Sequence, residues 1–126
     1  MDASALVDAL TGADGSEALR HRLASEQLHA PGLVDYEVVS ALRGLTLGGH
    51  LSAHRAEDVL TDLDDLPLQR WPAADLLRRR AFQLRRNLSA YDAAYLSLAE
   101  ILGCPLVTRD RRLARSRAHR ARLEVI

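Results

Sequence analysis

Helix-period and strand-like segments alternate along this chain. Between Leu33 and about Leu47, Val34, Val38, Ala41, Leu42 and Leu45 recur at helical spacing, and Gly48-Gly49 ends the segment. The same reading predicts a helix from Ala3 to Leu10 just after Asp2, and others over Ser16 to Glu26 and Ser52 to about Leu63. It also predicts a helix opened by Pro72 and running through Arg86, and one capped by Ser89 and stopped by Gly103. Extended pieces are expected at Leu28 to Ala30, Leu66 to Trp71, Pro105 to Thr108 and Leu123 to Ile126, with a short helix from about Asp110. That alternation implies βαβ units and a parallel sheet. A chain of 126 residues matches one domain, here residues 1–126, large enough to bury a core.

Composition narrows the class. No apolar run approaches the length of a membrane span, and the amino-terminal segment has an acid where a signal peptide would carry positive charge, so a cytoplasmic protein is expected. Cys104 is the single cysteine, which excludes an intrachain disulfide and a cysteine zinc site; it reads as a small buried residue at the start of a strand.

The net charge of zero conceals a polarity. Residues 1–69 hold twelve acids and four arginines, whereas residues 70–126 hold five acids and thirteen arginines, so the halves carry −8 and +8. Every basic residue is arginine, whose planar fork matches phosphate oxygens. Arg78 to Arg80, Arg85-Arg86 and the stretch from Arg109 to Arg122 are therefore candidates for a nucleic-acid path. Helical arginines also commonly occupy solvated faces, and composition leaves both readings open.

Four acids stand out by position. Asp2, Glu37, Asp92 and Asp110 each fall where an apolar strand ends or a helix begins, and in open α/β folds ligands sit beyond the carboxyl ends of the strands. Each has a structural alternative. Asp92 follows Ser89 by three residues as a helix-start signal would, and Asp110 is a natural cap after Leu106-Val107-Thr108. However, the helix after Ser89 is apolar nearly all round, so it is expected to be buried and its first acid to face a crevice. Glu37 borders the buried stripe between Val34 and Ala41. Two carboxylates about 4 Å apart repel by roughly 4 kcal/mol at an effective dielectric near 20, so a cluster requires cations. Hard oxygen ligands select magnesium or manganese, which activate water on a phosphodiester without a side-chain nucleophile. The chain offers no convincing Ser/His/Asp or Cys/His arrangement.

These stretches resemble the PIN-domain ribonucleases and, within them, the VapC-type toxins of bacterial toxin–antitoxin pairs. The matching segments are residues 2–7 beginning at Asp2, residues 35–43 around Glu37, residues 88–95 around Asp92, and residues 106–113 around Asp110. The resemblance implies a three-layer α/β/α domain with a central parallel sheet of four to five strands. It implies that Asp2, Glu37, Asp92 and Asp110 bind magnesium or manganese and hydrolyse RNA, with Ser4 and Thr108 bonding to the acids. Arg109, Arg111, Arg112 and Arg86 are then the expected RNA contacts. Homodimerisation is implied, as is inhibition by a VapB-type antitoxin, and DNA would be met only through that antitoxin. Because an acid cluster invites a cation, a basic residue of the antitoxin is expected to reach into it, with the amphipathic helices of residues 33–63 supplying the apolar docking groove. Relatives usually carry a short aliphatic run before the first aspartate, whereas Met1 alone precedes Asp2 here. The first strand is therefore expected to be truncated or very short, and the natural product to begin a few residues upstream.

Other functions fit less well. A phospho-acceptor receiver domain shares the layout but needs a lysine, and the chain has none. His50 and His54, with Glu57 and Asp58 nearby, make an incomplete zinc site. His119 reads as a surface residue and Trp71 as a core anchor. The remaining alternative is a non-catalytic, arginine-rich α/β binding module whose acids are helix caps.

Overall fold

A computed structural model describes residues 1–126 and bears out the alternation of helices and parallel strands. The chain runs α1 (Ala3–Thr11), α2 (Glu17–Ser25), β1 (Leu28–Pro31), α3 (Val34–Leu47), α4 (Ala53–Asp65), β2 (Leu68–Trp71), α5 (Asp75–Gln83), α6 (Ala90–Leu102), β3 (Leu106–Thr108) and β4 (Leu123–Val125). A single 3-10 turn, Leu113–Arg115, separates the last two strands.

The sheet consists of two parallel pairs. β1 pairs with β2, Leu28 opposite Leu68, and β3 pairs with β4, Leu106 opposite Leu123. Met1 and Asp2 occupy the lane between the pairs: the Met1 ammonium donates to the His29 carbonyl at 3.4 Å and the Asp2 amide to the Val107 carbonyl at 3.0 Å. These two bonds bridge the strand pairs and set Asp2 between them. Around it, α1 packs against α2, α3 and α4, while α5 packs on α6 and α6 lies on β1 and β3, giving the α/β/α layering.

Burial follows the apolar spacing. Ala56, Val59 and Leu63 on α4, and Val34, Val38 and Leu42 on α3, join Leu6, Leu19, Leu84 and Leu96 in one buried core. Caps fix the ends. Ser52 Oγ accepts from the Arg55 amide at 3.1 Å, Ser89 Oγ from the Asp92 amide at 3.1 Å, and Gly103 takes the left-handed conformation, φ 66°, that closes α6. A serine cap of this kind is worth about 1 kcal/mol.

Several elements depart from expectation. α5 starts at Asp75, because the chain turns at Pro72 to Ala74, where the Ala74 amide donates back to the Pro72 carbonyl at 2.8 Å, and it ends at Gln83, where Leu84 turns inward and is buried. β2 begins after Pro67, which has no amide to give a ladder. The helix expected from Asp110 is a turn followed by the short 3-10 segment. Cys104 is exposed, lying in the reversal after Gly103 and ahead of β3, where its amide closes the helix end by donating to the Ala99 carbonyl at 3.1 Å. Trp71 is half-buried and donates its indole N–H to His29 Nδ1 at 3.0 Å across the two strands.

Candidate active site

Asp2 is the most constrained of the four acids. It is 8% exposed and caps α1, its Oδ1 accepting from the Ala5 amide at 3.0 Å and from Ser4 Oγ at 2.7 Å. Its Oδ2 accepts from the hydroxyl of Thr108, a fully buried side chain at the end of β3. The Thr108 hydroxyl also accepts from the Asp110 amide at 2.9 Å. One hydroxyl therefore ties the acid of the central lane to the acid that follows β3. Ser4 and Thr108 both donate to Asp2.

Glu37 lies one turn into α3, half-buried, and its Oε1 has no hydrogen-bond partner. Burial raises the pKa of its carboxyl, and the charges of Asp92 and Asp2 raise it further. The Tyr95 hydroxyl faces this carboxylate and opposes the rise, although neither the hydroxyl nor Oε1 completes a hydrogen bond of proper geometry. The tyrosine's own pKa is pushed up by its burial and by Glu37. Tyr95 escaped the sequence reading because it sits in an apolar helix. Its signal is position, three residues after Asp92 and hence on the same face of α6.

Asp92 joins two neighbourhoods. It lies in the field of Glu37, and with Asp110 it lines an open cleft of about 690 Å³. Arg112, Arg115 and Arg117 form the basic rim of that cleft. Asp110 is engaged by Arg112, whose Nε and Nη2 reach its carboxylate at 2.7–3.2 Å, and the arginine holds the Asp110 carboxyl below its ordinary pKa. The structure thus brings Asp2, Glu37 and Asp92 within electrostatic reach of one another, and joins Asp110 to them through Thr108 and the cleft. No three of the chain's acids, histidines or cysteines stand around a single ligation point, His50 and His54 included. For Asp2 and Asp110 the cause is visible, since their oxygens are turned to protein donors.

The expected RNA contacts divide. Arg86 and Arg111 are exposed. Arg112 lies in the cleft but is bonded to Asp110. Arg109 turns away, its Nε donating to Asp8 at 2.7 Å and its Nη1 to the Ile126 carbonyl at 3.0 Å, with weaker bonds to the carbonyls of Asp14 and Gly15. It ties the carboxyl terminus to α1 and has little donor capacity left for a phosphate. His119, expected at the surface, has both ring nitrogens buried without a partner. In the same region Glu100 accepts from Arg80 and from the Arg120 amide.

The donor chemistry fits a hard divalent cation. Glu37 offers a buried oxygen with no partner, Asp92 has both oxygens free, and Asp2 Oδ2 accepts a single bond.

A short-stranded α/β/α domain with acids gathered at the ends of its parallel strands is the layout of a PIN domain. The family model described as PIN domain matches residues 1–118, and the chain belongs to that family. Ribonuclease VapC12 of Mycobacterium tuberculosis is 39% identical over 126 residues, covering 100% of this chain and 97% of that protein. Ribonuclease VapC9 of the same organism is 44% identical over 114 residues, covering 90% and 87%. These relatives make the chain a VapC-type member of the family. A crystal structure of PAE2754 from Pyrobaculum aerophilum superposes with a TM-score of 0.68 at 30% identity, covering 98% of this chain and 81% of that one.

Proposed function

We propose that residues 1–126 form one PIN domain acting as a metal-dependent endoribonuclease, the toxin of a type II toxin–antitoxin pair. The observation that carries this reading is the buried, partnerless Glu37 Oε1 held among the charges of Asp92 and Asp2, an arrangement that is unfavourable until a cation enters it. Glu37 and Asp92 would supply open oxygens, with Asp2 and Asp110 completing the set. These residues would hold a magnesium or manganese ion, which would supply activation of water for RNA phosphodiester hydrolysis and neutralisation of charge on the leaving oxygen. Ser4 and Thr108 hold Asp2 in place, and the Tyr95 hydroxyl faces the Glu37 carboxylate from α6. The arginine rim, with exposed Arg111 and Arg86 nearby, seats the phosphate backbone so that the acids lie beneath it. Named VapC ribonucleases among the relatives favour an RNA substrate and a cognate VapB-type antitoxin; a homodimer as the working form rests on the family resemblance alone.

The binding-module reading draws on the cap that Asp2 gives α1 and on the engagement of Asp110 by Arg112. Incubating the purified protein with total RNA, with and without manganese, separates the two. The nuclease reading expects metal-dependent fragments that vanish in Asp92→Asn; a manganese-independent or absent pattern in the wild type contradicts it.

A further inference from the structure

We propose that Arg112 is a built-in counterion of the acid site, bonded to Asp110 in the metal-free protein and released when a divalent cation arrives. The inference rests on the nuclease reading and adds a regulatory step to the same site.

Four hydrogen bonds from Arg112 consume the Asp110 carboxylate. Oδ1 accepts from the Arg112 amide at 2.8 Å and from Nε at 3.0 Å, while Oδ2 accepts from Nε at 3.2 Å and Nη2 at 2.7 Å. A carboxylate has about four lone-pair sites, so Asp110 cannot ligate a metal in this state. The other three acids carry no arginine bond, which makes Arg112 the one cation bonded to the cluster. Its guanidinium also lies in the field of Asp92.

Release is inexpensive and local. The Arg112 side chain is 83% exposed, against 24% for Asp110, so the guanidinium can swing into the open cleft without unpacking anything. The backbone bond from the Arg112 amide remains, together with the Thr108 hydroxyl accepting from the Asp110 amide, and these keep the carboxylate aimed as before. The swing therefore frees Oδ2 and one site on Oδ1 without loosening the loop. An exposed ion pair is weak, and a doubly charged ion in contact with the same oxygens outcompetes it. The released guanidinium stays on the rim, where RNA phosphates pass.

The test is manganese binding measured by electron paramagnetic resonance on the wild type, Arg112→Ala, Arg112→Lys and Arg111→Ala, each checked for folding by circular dichroism. Magnesium titration followed through the Arg112 Nε–H resonance reports the side chain itself. Arg112→Ala should bind manganese about two- to fivefold tighter than wild type, the scale of a lost exposed ion pair. Arg112→Lys should fall between, Arg111→Ala should match wild type, and the Nε–H resonance should move toward its free position as magnesium binds. Wild-type manganese binding with no gain in Arg112→Ala and an unmoved resonance would overturn the counterion role while leaving the nuclease reading intact. Absence of manganese binding in every variant would overturn both.

Discussion

Replacing Thr108 by valine keeps the shape of a fully buried side chain and removes one hydroxyl that serves two acids. The lost contacts are the donation to Asp2 Oδ2, which has no other donor, and the bond accepted from the Asp110 amide at 2.9 Å. A hydrogen bond to a charged group is worth about 1.5–3 kcal/mol and a neutral one about 1, so Thr108→Val should cost about 2.5–4 kcal/mol. At roughly 4 °C per kcal/mol for a chain of this size, the metal-free protein should melt roughly 10–16 °C lower. Thr108→Ser retains the hydroxyl and loses a methyl, costing about 1 kcal/mol. Thermal unfolding followed by circular dichroism, with EDTA present, compares the three proteins. A valine variant that melts with the wild type, or a serine variant that falls as far as valine, would refute the claim that this hydroxyl positions Asp2.

Glu37→Gln should raise the melting temperature of the metal-free protein at pH 7 while abolishing RNA cleavage. A carboxyl whose folded pKa is raised opposes folding when charged, so the variant's advantage should vanish as pH falls through that pKa to below the ordinary 4.5; melting scans against pH check the trend. Glu100, 11% exposed, is held below its ordinary pKa by Arg80, against burial and with help from the Arg120 amide. Its stabilisation is present above pH 4.5 and lost as pH falls through the depressed value, so Glu100→Gln should destabilise by about 1–3 kcal/mol at pH 7 and progressively less in acid, read by urea titration. Arg109→Met should lower stability with little effect on RNA affinity, whereas Arg111→Ala should weaken RNA binding without changing the melting temperature; fluorescence anisotropy and thermal scans distinguish them.

The fold was legible where local chemistry acts alone. Ser52 and Ser89 cap, Gly103 stops α6, and the α3 and α4 stripes bury the residues that their spacing selects. Asp2 was the least supported acid in the sequence because nothing before it forms a strand, yet it is the best anchored, through partners at Ser4 and Thr108. Boundaries moved where backbone and burial compete, as at Pro72, whose carbonyl closes a tight turn with the Ala74 amide before α5 opens at Asp75. The site was less legible wherever a side chain's partner lies far along the chain. Arg109 reads as one more basic residue until Asp8 and Ile126 come beside it, and Tyr95 reads as core until α3 brings Glu37 against it. Cys104 looked buried by composition, but the helix reversal that sets its exposure is decided by Gly103.

In the proposed site a divalent ion joins Glu37 and Asp92, with Asp2 and Asp110 around it. A crystal soaked in manganese and recorded at an anomalous wavelength tests it directly. An anomalous peak is expected within ligation distance of Glu37 and Asp92 oxygens in the wild type and none in Asp92→Asn; a wild-type crystal with no peak there, or with its manganese bound elsewhere, would contradict the proposed site.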